Sequence, residues 1–268
     1  MTLPDDLDPS LLARAIAAAG AERFGRSLDV RTQTGSTMDD ARRAADEGAP
    51  EGHTILADVQ RAGRGSRGRR WASPGGTDLY LSIVTRPQVE LESLPPLTLA
   101  VGLGVAEAVE SLCPNVRAEV KWPNDVQVGG RKVAGVLVES RAADGATAAA
   151  VIGIGLNVGR TQWPDELAGE ATSLCEVAAR GRPPNRAVAL GALLAAVERW
   201  VDRFVAAGPA AIVPALEARL ALRGRTVRCD DVVGRLAGVE PSGALRIDTP
   251  AGPATVLAGR LEPVAPAG

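Results

Sequence analysis

Between two apolar, strand-like runs, HTILADVQ (residues 53–60) and TDLYLSIVT (residues 77–85), the chain reads GRGSRGRRW over residues 63–71. That loop limits the folds open to the chain. Gly63, Gly65 and Gly68 spell G-x-G-x-x-G, the string of a dinucleotide-binding turn. Such a turn needs a helix opening at its last glycine, with an acidic residue roughly 20 positions on. Here Pro74, Gly75 and Gly76 follow instead, and then another strand. The helix dipole that would hold a pyrophosphate is missing, so a doubly wound dinucleotide fold is excluded. What remains is a strand–loop–strand unit whose loop carries Arg61, Arg64, Arg67, Arg69 and Arg70. Like charges repel, and glycines lose backbone entropy on ordering. Such a loop is expected to stay mobile until an anion draws it in, because guanidinium forks and exposed N–H groups suit phosphate. The residues alone equally allow a solvated basic loop or a nucleic-acid contact.

The surrounding pattern predicts a mixed sheet backed by helices. PSLLARAIAAAG predicts a short helix with Ser10 as N-cap and Gly20 as its stop. A strand over residues 28–32 leads through a turn at Gly35 to a helix over residues 37–47. Ser36 with Asp39, and Thr37 with Asp40, have capping-box spacing. LPPLTLAVGLGVAEAVESL reads as a long apolar helix ending before Pro114. VRAEVKWPNDVQVGGRKVAGVLVES reads as strand, turn, strand, Gly-Gly hairpin and strand. TAAAVIGIGLNVG gives a further buried strand. NRAVALGALLAAVERWVDRFVAAG carries an apolar stripe at helical spacing. From about Arg223 short strands alternate with turn residues, the texture of a small all-β module. The expected organisation is α+β, with one domain over residues 1–220 and a second over 221–268.

Composition narrows the function classes. Apolar residues make up 46% of the 268 and the formal charge is −2, so a core is affordable and no global field draws nucleic acid or membrane. Cys113, Cys175 and Cys229 lie far apart, which predicts no zinc site and a reducing compartment. The start MTLPDDLDPS has no apolar signal core, and no window reaches the ~18 apolar residues of a membrane span. A cytoplasmic protein is expected. His53 is the single histidine, in a polar loop before a strand, and no cysteine has a histidine partner, which disfavours a thiol or serine triad. Electrostatic catalysis by Lys and Arg remains. KWPND (residues 121–125) turns after Pro123 and brings Asn124 and Asp125 beside Lys121, as an ordinary β-turn also would. Lys132 opens the apolar strand VAGVLVE, aimed at a ligand or merely snorkelling. Gly153 and Gly155 in GIGLN point to close approach by a ligand or another backbone, or to a bulge.

In order along the chain stand GST (35–37), QRAGRG (60–65), RGRRW (67–71), LYLS (79–82), KWPND, RKVAG (131–135) and GIGLN (153–157). Over residues 28–159 this series resembles the biotin protein ligase family, the biotin–[acetyl-CoA-carboxylase] ligases, and KWPND followed by RKVAG is its most specific part. The resemblance implies a class II synthetase-like catalytic domain with a small C-terminal SH3-like β-barrel. It implies ATP and Mg²⁺ as cofactors and biotin as substrate, with biotinyl-5′-AMP made first. Biotin then passes to a lysine of a biotin carboxyl carrier protein domain of a carboxylase. Carried over residue by residue, Ser36, Thr37, Gln60, Arg64, Gly65, Ser66, Lys132 and Gly135 fall on biotin-side positions. Arg64, Arg69, Trp71, Lys121, Asn124, Lys132 and Asn157 fall on ATP-side positions. Lys132 and Arg64 are the implied catalytic pair, and Asp125 the implied metal contact. About 35 residues precede the GST motif, so the ligase-only class is implied, without a DNA-binding domain. Two departures stand out: Met38 where family members often have Asn, and Ser66 where they often have the second arginine of GRGRRG. A lipoate or octanoate ligase or transferase shares the fold and is the alternative, as is a biotin-responsive regulator without catalysis.

Overall fold

The structure, a computed structural model, describes residues 2–143, 146–178 and 184–264. Its strands are β1 (Leu28–Thr34), β2 (Thr54–Gln60), β3 (Leu79–Thr85), β4 (Ala118–Lys121), β5 (Asp125–Val128), β6 (Arg131–Ala143) and β7 (Ala146–Leu156). They form one sheet in the order β1-β2-β3-β7-β6-β5-β4. Only β1 and β2 run parallel, joined by helix α2 (Thr37–Asp46); the other pairs are antiparallel. The sheet is therefore mixed, as the pattern predicted. Gly129 and Gly130 close the β5–β6 hairpin with φ of 57° and 77°, the left-handed values that tight hairpin turns require. The Trp122–Pro123 peptide bond between β4 and β5 is cis.

Alternation along the strands sorts the two faces. Leu56, Leu81, Ile83, Ile152 and Ile154 point into the main core with helices α1 (Pro9–Ala19), α3 (Leu97–Leu112) and α5 (Arg186–Ala207). These helices approach closely. A Cβ on Gly104 would lie 2.7 Å from the Val197 Cα, and one on Gly191 2.5 Å from the Ala15 carbonyl oxygen. Their neighbours Ile55, Val84 and Val151 face the other way, under α2, with Met38 and Ala41. The candidate site opens on this second face.

Some local expectations are corrected. The cap of α1 is Asp8, not Ser10: its carboxylate accepts from the Ser10 and Leu11 N–H groups at 3.0 Å. Gly20 does end the helix, at φ 81°. The capping boxes at α2 do not form. The Ser36 side chain makes no cap bond, Asp39 is paired with Arg42 and Arg64, and Asp40 faces Thr34, Arg31 and Arg43. Ion pairs outcompete the local cap there. Strand β1 also runs two residues further than predicted.

After the short helix α4 (Leu174–Val177), α5 and α6 (Val213–Arg219), the chain builds a second, five-stranded antiparallel sheet. Its strands are β8 (Thr226–Cys229), β9 (Val232–Val239), β10 (Leu245–Thr249), β11 (Gly252–Val256) and β12 (Leu261–Pro263), in the order β11-β10-β9-β8-β12. The Trp122 indole N–H donates to the Gly243 carbonyl at 2.8 Å and ties the two sheets. A buried ion-pair cluster fixes the far side of the first sheet. Arg186 reaches Asp58 of β2 at 2.7 Å and Asp6 at 2.6 Å, and Asp58 also accepts from the Gly76 N–H. Among the described residues no helix is long and apolar enough to cross a membrane.

Candidate active site

A cavity of about 280 Å³ opens on the α2 face of the first sheet. Its floor is built where β6 and β7 place glycine. Gly135, Leu137, Gly153 and Gly155 share that face, and the three glycines remove side chains that would otherwise fill it. The close approach expected at GIGLN is made by protein side chains, not by backbone. A Cβ on Gly153 would sit 2.5 Å from the Met38 sulfur, and one on Gly155 2.3 Å from Cε2 of Trp71. A Cβ on Gly135 would meet the same indole at 2.7 Å.

Lys132 enters at the start of β6, at a bulge against β5. Its backbone is held on both sides: its N–H donates to the Glu170 carbonyl at 2.7 Å and its carbonyl accepts from the Thr172 N–H at 2.8 Å. The Asn157 side chain donates to the Thr172 carbonyl at 3.0 Å and to the Lys132 carbonyl at 3.4 Å, so it braces the lysine's strand. The ammonium lies 2.5 Å from Asp125 Oδ1 and 5.1 Å from the centre of the Trp71 ring. Asn124, just before β5, donates to the Val136 carbonyl at 3.0 Å and accepts from the Val136 N–H at 2.8 Å. It thereby sets the β5–β6 spacing.

The arginine-rich loop folds over this floor. Arg64 and Arg70 form a β-bridge, Gly65 N–H donates to the Arg69 carbonyl at 2.8 Å, and residues 66–68 make a 3₁₀ turn with Arg67 at φ 58°. Its charges are partly answered within the protein. The Arg64 guanidinium forks onto Glu139 of β6 and also meets Asp39 of α2 at 3.0 Å, while Arg70 donates to the Arg61 carbonyl. Arg69 reaches the Ser66 hydroxyl at 3.2 Å. On the α2 side, the Gln60 carbonyl oxygen accepts from the Thr37 N–H at 2.9 Å and its hydroxyl at 3.1 Å. The Gln60 amide donates to Ser73 at 2.9 Å, fastening α2 to the return leg of the loop.

All the sequence-derived candidates except Ser36 line this one cavity. Ser36 is buried behind Thr37, and its hydroxyl has no partner among the described residues. The buried Trp71 indole N–H is likewise unpaired. Both are polar groups whose burial costs free energy until an acceptor arrives. Sequence reasoning missed Arg160, Trp163 and residues 259–261 of the second sheet, which also line the cavity. A charged residue four positions past a buried strand hinted at Arg160; nothing local marked the rim of the second sheet. Asp125 has a lysine on its carboxylate, and among the described residues no group of three or more acidic, histidine or cysteine side chains could hold a metal. That donor set does not fit a metal held by protein ligands.

Residues 31–157 match the biotin/lipoate A/B protein ligase family. These residues supply most of the cavity. The chain is 35% identical to the biotin–[acetyl-CoA-carboxylase] ligase of Mycobacterium tuberculosis, over 97% of this chain and 98% of that protein. The chain belongs to the biotin/lipoate A/B protein ligase family. A second member, the bifunctional ligase/repressor BirA of Bacillus subtilis, is 31% identical over 90% of this chain and 75% of its own length. Among solved structures of the family, the biotin protein ligase from Aquifex aeolicus in complex with biotin and ATP is similar at TM-score 0.77 and 30% identity. That match covers 88% of this chain and 98% of the other. Both sheets described above fall within the fold of this family.

Proposed function

We propose that the chain is an ATP-dependent biotin protein ligase. The observation that carries this reading is the position of Lys132: a cation lining a glycine-floored cavity, beside an arginine-rich loop, in a chain of this family. In the first step a biotin carboxylate oxygen attacks the α-phosphorus of ATP and pyrophosphate leaves. Two anions must approach, and Lys132 offsets their repulsion and stabilises the charge that develops between them. In the second step a lysine amine of a biotin carboxyl carrier domain attacks the acyl carbon and AMP leaves. Thr37, Gln60, Gly65, Ser66 and Gly135 form the biotin side, and the unpaired Ser36 hydroxyl turns to the ring. Arg69, Trp71, Lys121, Asn124 and Asn157 form the nucleotide side, with Arg64 clamping the loop shut. A Mg²⁺ that arrives with ATP would be held by phosphate and water oxygens, where it would neutralise phosphate charge, and Asp125 would be an outer contact. Residues 1–220 act as the catalytic domain, 221–268 as the second, and the protein works in the cytoplasm. Relatives named as biotin–[acetyl-CoA-carboxylase] ligases, matched over 97% and 74% of this chain, favour biotin over lipoate. Incubation with MgATP, labelled biotin or lipoate, and a carrier domain tests it. Biotin on the carrier is the expected result; label from lipoate alone, or none, overturns the reading.

Two predictions arise from the loop. Residues 61–70 are expected to exchange their amide hydrogens quickly in the free protein and slowly with biotinyl-AMP, because the bound phosphate offsets the repulsion among the arginines. Equal protection in both states would refute the lid. The second concerns Ser66, short and neutral where arginine is frequent. A lost charge-assisted contact is worth ~1–3 kcal/mol, so Ser66→Arg is expected to slow adenylate dissociation and reduce stray labelling of non-carrier lysines. No change in either means that Arg64 or Arg67 already supplies the contact.

A further inference from the structure

Arg160 lies beyond the end of β7 and is 5% exposed, yet it lines the cavity. Its Nε and Nη2 meet Asp78 Oδ2 at 2.8 and 2.7 Å. Nη2 also donates to the Ala72 carbonyl at 3.0 Å and to the Tyr80 hydroxyl at 2.9 Å. The Tyr80 hydroxyl lies 2.9 Å from the Pro74 carbonyl and 3.1 Å from Asp78 Oδ2. Burial, and then the Asp78 carboxylate, push the Tyr80 phenol far above its ordinary range, so it keeps its proton. Asp78 Oδ1 accepts from the Val158 N–H at 2.9 Å. The guanidinium carbon stands 5.1 Å from the centre of the Trp163 ring, whose N–H is fixed on Glu176 at 2.9 Å.

A buried ion pair is a weak source of stability, since apolar residues of similar volume often serve as well, and its best-attested use is to fix one arrangement. The arrangement fixed here is specific. Outside its pair with Asp78, Arg160 reaches the return leg of the arginine-rich loop directly at Ala72, and at Pro74 through the Tyr80 hydroxyl, which also bonds back to Asp78. Ala72 is bonded next to Trp71, whose indole covers both Lys132 and the Gly135 and Gly155 floor. Trp163 stands on the other side of the same guanidinium.

We propose that Arg160 is a positioning residue for the nucleotide side of the site: it holds the Ala72 carbonyl and the Trp163 ring together, and so sets where the Trp71 indole meets Lys132. The proposal rests on the ligase reading for its substrate, ATP. Arg160→Lys tests it while keeping a cation beside Asp78, because an ammonium cannot reproduce the fork that spans Asp78 and Ala72. Tyr80→Phe removes the hydroxyl that joins Arg160 and Asp78 to Pro74 and leaves all charges in place. Adenylate formation is measured against ATP and, separately, against biotin, with amide exchange at residues 71–73 and melting followed in parallel. The expected result for Arg160→Lys is a KM for ATP raised about tenfold, the scale of a small misplacement of a positioned group. The KM for biotin stays unchanged, and residues 71–73 exchange faster. Tyr80→Phe moves the same readouts in the same direction and by less. An unchanged KM for ATP, or equal rises for ATP and biotin together with lowered melting, overturns the proposal and leaves a merely structural ion pair. If the unaltered protein makes no adenylate, the ligase reading fails. The exchange rates at residues 71–73 then still decide whether Arg160 holds the loop.

Discussion

Lys132→Ala is expected to lower biotinyl-adenylate formation by ~10²-fold or more, the scale of removing one preorganised electrostatic stabiliser. Pyrophosphate release with biotin and MgATP reads the effect directly. The backbone around position 132 is held by bonds to Glu170 and Thr172 that do not involve the side chain, so the fold should survive the change. The substitution also leaves Asp125 without its partner: the side chain is 20% exposed, and its buried Oδ1 gains room for water where the lysine side chain was. The loss should therefore appear as a rate and not as unfolding. Near-normal pyrophosphate release would remove Lys132 from the reaction. Arginine at 132 is not a neutral replacement: its planar fork cannot occupy the space between Asp125 and the Trp71 ring in the way an ammonium does.

The largest expected stability effect lies away from the cavity. Arg186 is 3% exposed and holds Asp6 with two nitrogens and Asp58 with a third. Burial alone would lower its pKa, but the hydrogen bonds it donates to both carboxylates, with their charge, outweigh that, and the pKa is raised. Arg186→Met removes the cation and leaves the largely buried Asp58 unpaired. Breaking a buried pair in this way costs ~3–5 kcal/mol, and thermal melting should fall by roughly 10 °C in a chain of this size. Asp58 also accepts from Gly76 on the return leg of the loop, so this damage should reach the site as well. A melting temperature within a degree or two of the unaltered protein would show that the cluster contributes nothing net.

Much of this arrangement is written in local patterns. The Gly129–Gly130 hairpin, the stop of α1 at Gly20, the apolar length of α3 and the short strands after Arg223 depend on residues close together in the chain. Periodicity and turn chemistry reveal such features. The candidate residues of the site were legible for another reason: their motifs occur in series, and a resemblance supplied what spacing could not. What stayed hidden depends on partners far away in sequence. Nothing near Gly153 announces that the Met38 sulfur will fill its missing side chain, or near Gly155 that Trp71 will. Asp8 beats Ser10 as a cap because the chain enters the helix two residues earlier, and both are good capping types. The counter-charges of Arg64, Asp39 and Glu139, belong to other elements, so nothing in the loop itself announced them.

The cavity borrows its floor from one sheet and, at residues 259–261, part of its rim from the other. A molecule bound there acts as a strut between them. By mass action it favours whatever keeps the two sheets docked, and at a hundred times its Kd it adds about 2.7 kcal/mol to the folded state. The durability of this protein is therefore set in part by its surroundings: the same chain should resist heat and proteases better where its small-molecule ligands are abundant, and yield sooner where they run out.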